Sequence, residues 1–171
     1  MSPEADQDQE VSQRSQGNPM SEWYETEVWG KRVSDDNALY EVMSLQVFQA
    51  GLSWNMVLAR RDAFRQAFEG WNIDAVAAMG PEKVESMLLD PSIIRNRRKI
   101  EACIENARVI QGLQREHGSF CGWYYDGLEE DDLASLQKTL RAAFRFMGPE
   151  IARMWLLASG RISYETHQGQ E

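Results

Sequence analysis

Between residues 34 and 160 the apolar positions recur three and four apart, and no stretch alternates apolar with polar over the length of a strand. Ser34, Asp35 and Asp36 offer N-cap chemistry for a helix that runs to about Gln49, carries Leu39, Val42, Met43, Gln46 and Ala50 on one stripe, and stops at Gly51. Ser53 is placed to cap a second helix from Trp54 to Phe68, with Val57, Arg61, Phe64 and Phe68 at helical spacing ahead of Gly70. A short third helix covers Ile73 to Met79. Pro81 suits the first turn of a fourth, which buries Val84, Met87 and Leu88 until Asp90-Pro91 breaks it. A tight hairpin, Asp90 to Asn96, leads into the longest helix, Arg97 to about Glu116, whose stripe is Ile100, Cys103, Ile104, Ala107, Ile110 and Leu113. Gly118 to Gly127 reads as an aromatic loop or short helix, Asp132 or Ser135 starts a helix to Phe144, and Pro149 to Ser159 is the last before Gly160. The pattern predicts one all-α domain of roughly seven helices over residues 19–162.

The ends read differently. Residues 1–18 are rich in Ser, Gln, Asp and Glu with little to bury, which predicts a disordered acidic tail, and residues 163–171 a flexible C-terminal tail. With 43% apolar and 26% charged residues in 171, the composition is that of an ordinary globular domain. No apolar run exceeds five residues, so a membrane partner is not expected. The polar start resembles neither a signal peptide nor a presequence, and the two cysteines, Cys103 and Cys121, are too few for a disulfide framework, so cytoplasmic residence is expected. The net charge of −9 argues against a nucleic-acid partner only until its distribution is considered. Residues 1–27 hold seven acids and one base, whereas Ser92 to Gly118 holds six bases and three acids, four of the bases lying between Arg95 and Lys99. Within a Debye length a phosphate backbone feels that local charge.

Three groupings carry candidate chemistry. The hairpin and the basic first turn that follows it, Ile94, Arg95, Asn96, Arg97, Arg98 and Lys99, combine free backbone N–H groups with cations, which is a phosphate site in outline. Those cations stand at the wrong end of their own helix dipole, so a demand other than stability is implied. Gln46 lies on an apolar stripe, where its amide has to find partners. Tyr24, Trp29 and Trp54 are aromatics able to hold a planar ligand whose edge an amide reads. A solvated turn, a core glutamine and ordinary aromatic packing are the plainer readings of the same residues. No zinc-ligand spacing, nucleophile triad or Gly-rich phosphate loop is present.

Phe48-Gln-Ala-Gly-Leu-Ser-Trp54 with Val57-Leu58 and Arg60-Arg61, then Ile93-Ile-Arg-Asn-Arg-Arg-Lys-Ile100 with Asn106-Ala107, resemble the signature blocks of the DNA-3-methyladenine glycosylase I family. Tyr24, Trp29-Gly30 and Phe144-Arg-Phe-Met-Gly-Pro149 add to the resemblance, which runs from about Tyr24 to about Gly160. It implies a helix-hairpin-helix glycosylase fold that flips alkylated adenine from double-stranded DNA and hydrolyses its N-glycosidic bond, with no cofactor. It implies Gln46 as the candidate catalytic residue facing the base, Tyr24, Trp29 and Trp54 as the base pocket, and the hairpin residues as the phosphate contacts. Two departures stand out. Gln46 occupies the place of a family glutamate. Glu25 follows Tyr24 where a zinc-binding histidine belongs, and neither residues 1–23 nor 162–171 contain a cysteine, so no metal is expected. The stretch between His117 and Ser135 is also short against the family pattern that the resemblance implies. A DNA-binding homologue without base release, or an all-α module whose acidic tail meets a protein partner, are the alternatives; a monomer is expected.

Overall fold

The computed structural model describes residues 22–163, and the tail expected over 1–18 and the residues after 163 lie outside them. Among the described residues there is no strand. The helices are α1 (Asp36–Gln49), α2 (Trp54–Leu58), α3 (Arg61–Ala67), α4 (Ile73–Ala77), α5 (Pro81–Leu88), α6 (Arg97–His117), α7 (Phe120–Gly122), α8 (Leu133–Ala143) and α9 (Pro149–Ala158). Short π-turns at Tyr24–Val28 and Trp123–Gly127 and a 3-10 turn at Glu69–Trp71 complete the backbone.

The caps follow the polar residues placed ahead of each apolar run. Asp35, Ser53, Asn72, Asn96, Ser119 and Asp132 each accept a hydrogen bond from a backbone N–H in the first turn of the helix they precede. Pro81 and Pro149 open α5 and α9. The single helix expected from Trp54 to Phe68 is instead two. Arg60 leaves helical geometry, and its guanidinium donates to the Met56 carbonyl, a C-terminal oxygen of α2, at 2.9 Å. The break lets Trp54, Val57 and Leu58 on one side of it and Phe64 and Phe68 on the other all face the core.

Helix α1 is the centre of the molecule. Every residue from Leu39 to Phe48 is buried, so no face of it meets solvent. The long helix α6 packs alongside α1 and α4, and Tyr40 of α1 donates to the Cys103 carbonyl of α6 at 2.6 Å. At its opposite end, the Asp36 carboxylate accepts from the backbone N–H groups of Phe120 and Cys121 and from Gln114 Nε2, all at 2.9 Å. Burial works against that charge, but the Gln114, Cys121 and Phe120 hydrogen bonds outweigh it and hold the carboxyl below its ordinary range.

The two ends of the domain are joined by a polar clasp. Gly30 N donates to the Ala158 carbonyl at 2.9 Å, and Tyr125 OH donates to the Ser159 carbonyl at 2.6 Å while accepting from Val33 N at 2.8 Å. Tyr124 OH pairs with Ser159 Oγ, and Arg161 reaches the carbonyls of Tyr124, Leu128 and Glu130. The approach needs a glycine: Gly160 sits at φ +68°, and a Cβ there would lie 2.8 Å from the Gly30 carbonyl oxygen. Gly160→Ala is therefore expected to lower stability by about 1–3 kcal/mol through backbone strain and the forced separation of the two segments. Urea unfolding measures this, and an unchanged midpoint would show that the clasp tolerates the methyl group.

Candidate active site

The residues singled out by sequence gather in two places. The first is beside the buried middle of α1. Gln46 is 1% exposed, and its Nε2 donates to the hydroxyl of Tyr24 at 2.7 Å. Tyr24 comes from the π-turn ahead of α1, and its ring packs on Trp54 at the start of α2 with centroids 4.7 Å apart and on the half-buried Trp29 at 6.1 Å. Ser53 fixes Trp54 by capping α2 through the Met56 N–H. Gln46 Oε1 is buried and has no hydrogen-bond partner among the described residues. A planar ring needs about 3.5 Å to each face it touches. The Tyr24 and Trp54 rings therefore lie too close to clamp a base between them, and a base stacks here only where one ring moves aside or on a face the pair leaves open.

The second place is the turn between α5 and α6. Asp90 folds it locally by accepting from both the N–H and the hydroxyl of Ser92, and Asn96 caps α6. Ile93 is buried beneath it, Ile94 is half-buried, and Arg95, Asn96, Arg97 and Arg98 are exposed. The six residues do not act alike. Arg97 is engaged by Glu85 at 2.6 Å and Glu101 at 3.7 Å. Arg98 lies over the ring of Phe146, 5.8 Å from its centroid. Lys99 is 4% exposed, and its ammonium donates to the carbonyls of Phe48 at 2.9 Å and Ala50 at 2.6 Å. Burial holds its pKa below the ordinary lysine value. Lys99 therefore corrects the sequence reading: it is no exposed phosphate ligand but a cation at the negative end of α1, where helix-dipole reasoning wants one. The adverse charge at the start of α6 is a favourable charge at the end of α1.

Sequence reasoning passed over a buried carboxylate next to this site. Glu41 of α1 makes ion pairs with Arg65 at 3.2 Å and Arg61 at 3.7 Å, and the Arg61 guanidinium covers Trp23 at 3.6 Å from the ring centroid. Burial pushes the Glu41 carboxyl up, with Arg61 and Arg65 opposing it. Glu41 lies off the apolar stripe, and on a helix with a solvent face it would have been solvated. The signal for it was the pair Arg61 and Arg65, one turn apart on α3.

A zinc ion is poorly served. Among the described residues no three His, Cys, Asp or Glu side chains come together, and burial pushes the Cys103 and Cys121 thiols up to about 12. Among the described residues no grouping fits the metal that the family pattern carries, and the clasp around Gly160 and Ser159 joins residues 30–33 to 158–161. No helix among the described residues is long and apolar enough to cross a membrane.

The profile of the methyladenine glycosylase family matches residues 14–143. The chain belongs to this family. DNA-3-methyladenine glycosylase 1 of Escherichia coli is 29% identical over 164 residues, which cover 85% of this chain and 88% of that protein. The Haemophilus influenzae DNA-3-methyladenine glycosylase is 33% identical over 92 residues, covering 54% of this chain and 50% of that one. Among solved structures, a tyrosine-to-phenylalanine variant of 3-methyladenine DNA glycosylase I in complex with 3-methyladenine superposes with a TM-score of 0.75 at 28% identity, covering 85% of this chain and 88% of that chain. A glutamate-to-glutamine variant of the Staphylococcus aureus glycosylase gives the same TM-score, identity and coverage.

For this methyladenine glycosylase family member, replacing Arg95 and Arg98 with alanine is expected to weaken binding to duplexes of any sequence and to lower the log–log salt slope by about two units. Arg97→Ala costs less because two carboxylates already share that guanidinium. Fluorescence anisotropy across a salt series is the measurement, and an unchanged slope removes the turn from the DNA surface. A chelator is expected to leave the melting temperature where it is; a fall on adding it would reveal a bound metal.

Proposed function

We propose that this protein is a DNA-3-methyladenine glycosylase that acts as a monomer on double-stranded DNA in the cytoplasm, taking alkylated adenine out of the stack and hydrolysing its N-glycosidic bond. The observation that carries the reading is the buried acceptor oxygen of Gln46, held by its own amide nitrogen against Tyr24 with the Trp54 ring packed on that tyrosine. Leaving a buried acceptor unpaired costs about 1–3 kcal/mol. The exocyclic amine of an adenine is a donor of the kind that oxygen lacks, and Tyr24, Trp29 and Trp54 offer aromatic faces to the ring beside it.

The chemistry asks little of the side chains. An N3-methylated adenine nucleotide carries a positive charge, so the leaving base is already activated, and the protein's work is to extract it, hold it and admit water. Gln46 cannot take a proton from that water, because an amide is not a base at neutral pH. Its role is to bind the base edge. Glu41 is not a free base either, being committed to Arg61 and Arg65. The glutamine in place of the family's glutamate changes what is recognised. A glutamate accepts the amine and attracts the cation; a glutamine keeps the acceptor and gives up the attraction. The difference between a charge-assisted and a neutral hydrogen bond in a dry site is about 1.5 kcal/mol or more, or tenfold to a hundredfold in affinity.

The test is release of free 3-methyladenine from methylated duplex under single-turnover conditions, by the natural protein and by Gln46→Glu. The natural protein is expected to release the base, and the variant to do so about tenfold to a hundredfold faster at limiting enzyme. Release by the variant alone would mean that the natural chain has traded this substrate for another. Release by neither, with DNA binding intact, would leave a DNA-binding protein without glycosylase activity.

A further inference from the structure

We propose that Lys99 is a positioning residue that couples the grip of the 89–96 turn on DNA to the geometry of the base site at Gln46 and Trp54. The proposal rests on the glycosylase reading for the identity of the two surfaces and adds how one is fixed relative to the other.

Lys99 is fastened at both of its ends. Its backbone N–H donates to Asn96 Oδ1 at 3.1 Å, the last residue of the turn. Its ammonium donates to the carbonyls of Phe48 at 2.9 Å and Ala50 at 2.6 Å, which close the helix that carries Gln46. Those carbonyls lead straight into the next turn, held by Leu52 N donating to the Gln49 carbonyl at 2.8 Å and Gln49 Nε2 donating to the Leu52 carbonyl at 2.9 Å. Two residues further on is Trp54. One side chain therefore bridges the phosphate-facing turn and the backbone that sets where Trp54 stands relative to Gln46.

A third segment closes over the same ammonium. The centroid of the Phe146 ring lies 5.9 Å from Lys99 Nζ and 5.8 Å from Arg98 Cζ. Phe146 sits at φ +56°, a conformation that costs an aromatic residue energy and needs outside support. The support is Asn106 of α6, fully buried, which accepts from Arg145 N at 2.7 Å and donates to the Arg145 carbonyl at 3.1 Å. The three sequence blocks 48–54, 93–100 and 144–149 thus meet at one nitrogen. Packed interiors and short hydrogen bonds do not stretch, so a displacement of the start of α6 as Arg95 and Arg98 engage phosphates is passed to the 48–54 backbone. Small displacements at a site that must stack a base matter, since an error of about 1 Å costs of the order of a hundredfold in rate.

The experiment uses the full chain carrying Lys99→Met, which keeps length and removes charge and donors, and Lys99→Arg, which restores both. Melting curves establish folding; should Lys99→Met fail to fold, Lys99→Gln takes its place. Three readouts are taken: affinity and salt slope on an undamaged duplex, duplex-induced change in hydrogen exchange at residues 46–54, and single-turnover release of 3-methyladenine at saturating protein. For Lys99→Met the affinity is expected to stay within about threefold with the slope unchanged. The exchange response at 46–54 is lost, saturated release falls about thirtyfold or more, and Lys99→Arg recovers much of both. Release and exchange equal to the natural protein's overturn the proposal. So does a salt slope lower by about one unit with saturated release intact, which would make Lys99 a phosphate ligand. In the natural protein, duplex binding that leaves 46–54 unchanged also overturns it. An exchange response that Lys99→Met abolishes in a protein releasing no base supports the coupling while overturning the glycosylase reading.

Discussion

Burying α1 on every side is the constraint from which the rest of this structure follows. A helix with a solvent face leaves its polar groups to water; a helix buried from Leu39 to Phe48 has to have each of them met by protein. Tyr40 is met by the Cys103 carbonyl, Glu41 by Arg61 and Arg65, and Gln46 in part by Tyr24. The carbonyls at its C-terminus are met by Lys99, and Asp36 at its N-terminus bonds the start of α7. Several neighbours of α1 are thus recruited twice, once to cover apolar surface and once to answer a polar group. Among the described residues, Ser44 Oγ and Gln46 Oε1 of this helix are buried without a hydrogen-bond partner, and Glu41 Oε2 is held by its ion pair with Arg65 alone.

The helical pattern and its caps were readable from sequence because they depend on local chemistry: apolar spacing, a small polar residue ahead of each run, proline at two first turns and glycine at several ends. The break at Arg60 was not, since Val57, Arg61 and Phe64 keep helical spacing across it and only the guanidinium's reach to the Met56 carbonyl marks the end of α2. Gln46, Tyr24 and Trp54 were legible as a group through family resemblance, but not their mutual packing, which depends on where the π-turn at Tyr24–Val28 docks. Lys99 shows the limit most clearly. In sequence it is one of four bases in five residues, indistinguishable from Arg98 beside it. Its neighbour's side chain stays exposed over the Phe146 ring while its own reaches the end of another helix, a difference of one helical step that charge counting does not see.

The clasp between the ends makes the same point from the other direction. The clasp was not visible in sequence, because Ser159, Gly160, Tyr124 and Tyr125 are ordinary residue types brought together by the fold. Their hydrogen bonds join residues 30–33 to 158–161 without charge. This keeps the segment bearing Tyr24 and Trp29 anchored near α1.

The neutral amide at position 46 has a physical logic within this scaffold. α1 already buries one carboxylate, Glu41, and needs two arginines to do it. A second carboxylate one and a half turns later would face the hydroxyl of Tyr24 and the aromatic rings packed on it. Such a charge costs several kcal/mol to bury unpaired and is compensated only when a cationic base arrives. A glutamate here would therefore tune the site to charged bases by destabilising the protein in their absence. Glutamine removes that cost and with it the preference for charge; on the proposed reading the site then tests for a hydrogen-bond donor and a flat face. The trade is between stability of the buried helix and discrimination in the pocket, and it is made at a single atom, since the amide and the carboxylate occupy the same volume and differ in what they ask of a partner.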